Sequence, residues 1–142
     1  MFSQSNRCRK GPSLIEWAVV IVIVGLLISL AIPRFVRLII ESKQSEAKML
    51  LRQVYLMELV YHHEYNAYWG NGLKASASLP NTFGRLAVDL MPGARYTYSI
   101  IQGESTFSII ATCGILDNDT AADTWTINQN GFLNCTSNDA FK

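Results

Sequence analysis

The chain is expected to adopt an α+β fold: one long N-terminal helix, membrane-spanning in its first half, packed by its second half on a small antiparallel β-sheet. Three observations carry that expectation. Residues Leu14 to Ile32 form an apolar run, a helical-period pattern continues through Tyr68, and short β-rich segments separated by turn residues fill the last third.

The apolar run is interrupted only by Glu16, Gly25 and Ser29. Roughly 20 such residues in a helix cross a bilayer. Arg7, Arg9 and Lys10 precede it, so the positive-inside tendency holds the N-terminus in the cytoplasm and sends the rest outward. Glu16 is costly near the end of such a span, by about 2.5–3.5 kcal/mol at the centre and less toward the interface. It therefore calls for a positive partner. If the chain is cut between Gly11 and Pro12, the new α-amino group is of that kind, and a neighbouring copy is better placed to offer it than the same helix.

Taken together, Gly11, Leu14-Ile15-Glu16 and Ala31-Ile32-Pro33-Arg34-Phe35 resemble the leader junction, the Leu-Ile-Glu start and the Ala-Ile-Pro-x-Phe ending of type IV prepilins and the related pseudopilins. The resemblance implies a leader over residues 1–11, a transmembrane and assembly helix over 12–40, and a globular head over 41–142. It further implies a prepilin peptidase acting after Gly11, with Glu16 and Pro33 serving assembly. Pro12 stands where the family usually has an N-methylated aromatic residue; proline suits a first helical position because its missing N–H has no partner there. Two competing accounts are a secretory signal cut after Ser29-Leu30-Ala31 and an uncleaved signal anchor.

Past Pro33, which is expected to kink the helix, Val36, Ile40, Ala47, Leu51, Val54, Tyr61, Tyr65 and Tyr68 recur at helical spacing among charged residues. The segment Ser42–Lys48 resembles the corresponding helix of some bacterial major pilins, although a solvated helix face accounts for each of its charges. Trp69 to Gly93 is rich in Gly, Ser, Asn and Pro and reads as a connection. Phe83, Leu86, Ala87 and Leu90 suit one short helix within it. Strands are expected over Arg95–Ile101, Thr106–Cys113, Thr124–Asn128 and Phe132–Asn134, with turns at Gly103-Glu104-Ser105 and Gln129-Asn130-Gly131.

Such a head, taken alone, is marginal in size. Cys8 lies in the leader, so a mature chain would keep Cys113 and Cys135, with one possible intrachain pairing. A bridge there would contribute about 3 kcal/mol in the chain-entropy account and needs an oxidising compartment. Pilins commonly have a similar disulfide-bounded C-terminal region.

No cofactor is required by any motif. Asp117, Asn118, Asp119 and Asp123 place oxygen-bearing side chains in one short segment, a composition that suits Ca²⁺ if backbone carbonyls complete the usual 6–8 ligands. Ala122 and Asn128 occupy the sixth and twelfth positions, which is not an EF-hand pattern, and turn formation is the competing account. His62 and His63 are adjacent on a helix and point about 100° apart, so they cannot chelate together. Neither a nucleophile–base–acid set nor a phosphate-cradling glycine loop is present, so no enzyme is expected. The tyrosines and tryptophans sit mostly at helix or strand spacing and read as packing. Loss of the leader takes Lys+Arg from 12 to 9 against 11 acids, a balance that does not favour a general DNA-binding surface.

The resemblance thus implies a structural subunit of a type IV pilus-like filament. Its partners would be identical subunits, the prepilin peptidase, the inner membrane before assembly, and an assembly platform driven by an ATPase. Its final location would be the cell surface. The alternatives are a minor pilin, a type II secretion pseudopilin, a DNA-uptake filament tip, and a signal-anchored extracytoplasmic binding protein that never polymerises.

Overall fold

The computed structural model describes residues 11, 13–114, 116 and 122–138. The leader, Pro12, Asp117 and Asp119 lie outside the described residues. Helix α1 runs Leu14–Tyr65 and is assigned without a break through Pro33. The chain divides into two compact units, residues 1–36 and 37–142.

In the first unit every described residue is exposed. The start of α1 is built by Ser13, whose carbonyl accepts from the Glu16 and Trp17 N–H groups at 3.0 and 3.3 Å and whose Oγ faces the Glu16 N–H at 3.4 Å. Serine before the first turn with glutamate three positions later is the capping-box pattern. Within the apolar run, Ser29 donates its hydroxyl to the Leu26 carbonyl at 2.8 Å, so its polar group is satisfied inside the helix.

In the second unit Ile40, Gln44, Ala47, Leu51, Val54 and Glu58 are the buried residues of α1. Their alternating steps of four and three make one stripe along the helix. Beyond it come β1 (Lys74–Ala75), a 3₁₀ segment (Pro80–Leu86), β2 (Thr97–Gln102), β3 (Phe107–Cys113), β4 (Asp123–Asn128) and β5 (Leu133–Ser137). The five strands lie in sequence order, each antiparallel to the next.

Alternation puts Tyr98 and Ile100, then Phe107, Ile109, Ala111 and Cys113, then Asp123, Trp125 and Ile127 on the buried face. Phe83, Leu86, Val88 and Leu90 of the connection join the same core. Tyr55 of α1 stacks on Phe107 and its hydroxyl donates to the Gln129 carbonyl at 3.4 Å. Beneath it, Gly131 has φ +77°, a conformation that selects glycine, and a Cβ there would meet the Tyr55 hydroxyl at 3.2 Å.

The α+β expectation is met, with differences at the edges. β1 was hidden in the connection because two residues carry no periodicity. The expected short helix is a 3₁₀ segment closed by Ala87 in the left-handed region, φ 52°, after which Val88 and Leu90 alternate inward. β5 reaches Ser137 rather than Asn134. The second unit starts at residue 37 and includes the buried Ile40.

Candidate functional site

Two sites follow from these elements, one in each unit. The first is the apolar surface of α1. The segment is long and apolar enough to cross a membrane, and none of it is buried among the described residues. Gly11 is exposed, and Glu16 sits in the first turn of α1 behind the Ser13 cap. Capping was not anticipated from the sequence, although Ser13-x-x-Glu16 carried the signal. The bond to Ser13 is made by the Glu16 backbone N–H, and the carboxylate itself takes its place in the first turn. A carboxylate in the first turn is also favoured by the helix dipole, by about 0.3–1 kcal/mol when exposed.

The second is a polar cluster sealed into the head. Asp123 is fully buried. Its Oδ2 accepts the Tyr96 hydroxyl and the Trp125 indole N–H at 2.8 Å. Its Oδ1 accepts the Gln44 amide at 3.2 Å. The same Gln44 nitrogen gives its other proton to Asn138 Oδ1 at 2.9 Å, which ties α1 to the residue following β5. Lys48 lies 4.0 Å from the centroid of the Trp125 ring. Burial, reinforced by the hydrogen bond and negative charge of Asp123, drives the Tyr96 phenol far above its usual range.

The sequence placed Asp123 with Asp117 and Asp119 in a loop open to Ca²⁺. In the structure Asp123 is the first residue of β4, and the Tyr96, Trp125 and Gln44 side chains donate to its carboxylate. Among the described residues no group of three or more His, Cys, Asp or Glu side chains is arranged to hold a metal. A calcium site at Asp117 and Asp119 falls outside them. Nothing in the apolar pattern pointed to the cluster, but Gln44 falls on the 4-3 stripe of α1, where an inward-facing polar residue needs a buried partner.

Cys113 and Cys135 are not joined to each other. The reason is the strand order. Cys113 is opposite Asp123 on one side of β4, and Cys135 is opposite Trp125 on the other. Strands lie about 4.7–4.9 Å apart, so a spacing of two strands is roughly 9–10 Å, beyond the ~7 Å Cα limit for a bridge without backbone movement. The Cys135 thiol donates to the Ser137 carbonyl at 3.3 Å, and burial raises its pKa. His62 stacks on Tyr68 with centroids 4.3 Å apart, while His63 is exposed.

Against known proteins, the chain is 38% identical over 66 residues to the type IV major pilin protein PilA of Myxococcus xanthus (strain DK1622). The aligned stretch is 46% of this chain and 30% of that protein, so less than a third of the relative's length is spanned. No protein-family model and no solved structure matches. The long apolar N-terminal helix and the antiparallel sheet are consistent with the type IV pilin fold.

Proposed function

We propose that this chain is a structural subunit of a type IV pilus-like filament, held in the inner membrane as a precursor, cut after Gly11 and then assembled with identical subunits. The observation that carries the reading is the apolar surface of α1 from Leu14 to Ile32, every residue of it exposed among the described residues. Water tolerates contiguous exposed apolar patches of only a few hundred Å² on a monomer. Lipid covers this surface before assembly, and parallel copies of the same helix replace lipid afterwards. The similarity to a major pilin supports the same reading, with a structural rather than enzymatic role.

In this account the peptidase exposes the Pro12 amine, and that amine on one subunit meets Glu16 on its neighbour. Extraction from the bilayer requires an assembly platform and its ATPase, since each subunit must leave lipid for the growing polymer.

Electron microscopy of sheared surface material, with mass spectrometry of its N-terminus, tests the proposal. Filaments whose subunits begin at Pro12 are expected. Subunits beginning at Met1, or soluble protein beginning at Ile32, would defeat it. The pair Glu16→Gln and Glu16→Ala separates the two roles of the acid. Glutamine keeps the capping-box geometry and removes the charge, so both variants should lose most of their filament yield if the ion pair drives assembly. Rescue by glutamine alone would leave Glu16 as a cap.

A further inference from the structure

Glu58 is the one carboxylate on the buried stripe of α1, and no Asp123-like set of donors surrounds it. Its side chain is fully buried. Oε2 accepts the Trp69 backbone N–H at 3.0 Å, while Oε1 has no hydrogen-bond partner among the described residues. A buried ionised carboxylate with one oxygen unmet is expensive, and the group avoids the cost by holding a proton or by gaining water.

The segment clasped by Glu58 turns sharply and is tied down mainly at its two ends. It leaves α1 through Asn66 at φ 55° and turns at Gly70 and Gly72, φ 87° and 75°. Asn66 N–H to the His62 carbonyl and Leu73 N–H to the Gly70 carbonyl hold it locally. At its far end the Gly72 N–H donates to the Ile100 carbonyl, the Ile100 N–H to the Leu73 carbonyl, and Asn71 Oδ1 accepts the Gln102 N–H. Between those ends, Tyr68 stacks on His62 and packs at a tilt against Phe107, and Glu58 supplies the side-chain hydrogen bond to Trp69. Gln102 Nε2 is a second buried polar atom without a partner, so the strand that receives the loop is also incompletely satisfied.

We propose that Glu58 is a proton-controlled clasp: with its carboxyl neutral it holds the loop of residues 66–73 closed over the core, and on ionisation it releases that loop to water.

Among the described residues, burial and the Trp69 N–H are what act on Glu58, and no compensating charge does. Helical spacing brings Tyr55, Tyr61 and His62 nearest on α1, and the loop brings Tyr68. β2 and β3 carry no Asp, Glu, Lys, Arg or His. Arg85 of the 3₁₀ segment instead lines a separate cavity with Glu64 and Tyr61. Asp123 of β4 is held through Gln44, 14 positions earlier on α1. Burial therefore dominates, and it pushes the Glu58 carboxyl up to about 7, against the smaller opposing effect of the Trp69 hydrogen bond.

The sign follows from that shift. In the open loop the carboxyl reaches water and regains an ordinary value near 4.3. The closed loop then holds the proton more tightly, so its advantage is fully present below the ordinary carboxylate range. It is lost as pH rises through the window up to about 7 and stays constant above it. The opening equilibrium changes by up to about tenfold per pH unit inside that window. Release presents Tyr68 and Trp69 as an aromatic surface.

Hydrogen–deuterium exchange on the full-length chain in detergent micelles tests the clasp, read at pH 5 and pH 8 after correction for the intrinsic pH dependence of exchange. Protection of residues 66–73 should fall by at least about tenfold in the wild type and in His62→Gln, and stay flat in Glu58→Gln. An equal fall in Glu58→Gln, or no fall in the wild type, overturns the proposal. Should Glu58→Gln not fold, the Glu58 carboxyl is titrated directly by carbon-13 NMR of the wild type. Titration near 7 in step with loop exchange supports the clasp, and titration in the ordinary carboxylate range overturns it.

Discussion

Helix α1 carries two different surfaces along one chain, and the contrast shows what covers each. Between Leu14 and Val36 apolar residues point in every direction and none is buried. Between Ile40 and Glu58 the inward positions recur at steps of four and three, and that stripe is buried within the second unit. A stripe can be covered by one sheet, whereas an all-round apolar surface needs a medium that surrounds it, lipid or several other helices.

The largest expected effect comes from cutting between the two surfaces. Removal of residues 1–36 should leave a soluble, folded monomer that neither enters membranes nor polymerises. The cut belongs before Arg37 because Ile40 is 4% exposed and part of the core. Light scattering and circular dichroism check the expectation. Aggregation or loss of structure on truncation would break the comparison, since it would show the head depending on the apolar segment.

Single substitutions sharpen the same contrast. Leu51 is fully buried and Leu27 is 63% exposed, though both lie on α1. Leu51→Ala should destabilise the head by about 2–5 kcal/mol through lost transfer energy and an unfilled cavity. Leu27→Ala should leave head unfolding by urea within about 0.5 kcal/mol of wild type and act, if at all, on filament yield. Equal effects on the head would mean that the two surfaces do not divide as described.

How far the fold was legible depends on how many residues carry each signal. The apolar run, the stripe and strands β2 to β4 each repeat a period over six or more residues, and all were recognisable. β1 spans two residues, and the irregular connection has no period, so its buried Val88 and Leu90 are set by tertiary packing. The polar cluster and Glu58 were missed for a different reason: apolar pattern reading skips polar residues, although Gln44 and Glu58 both keep the stripe's spacing. The possible pairing of Cys113 with Cys135 rested on counting and on the family resemblance, and neither registers the strand that the fold inserts between them.

That last difference gives the smallest expected effect and a direct test of the strand order. Cys135 is half-buried on β5, opposite Trp125, with its thiol donating to the Ser137 carbonyl. Replacing sulfur by a hydroxyl keeps the hydrogen bond and removes little packing. Cys135→Ser should therefore cost less than about 1 kcal/mol in urea unfolding, and alkylation followed by mass spectrometry should find a thiol at position 135 in the wild type. A bridge to Cys113 would instead make the same substitution cost about 3 kcal/mol and block alkylation at both positions. That outcome would require β4 and β5 to pair differently, because the present register keeps β4 between the two cysteines. The measurement thus reads the order of the last three strands from a single side chain.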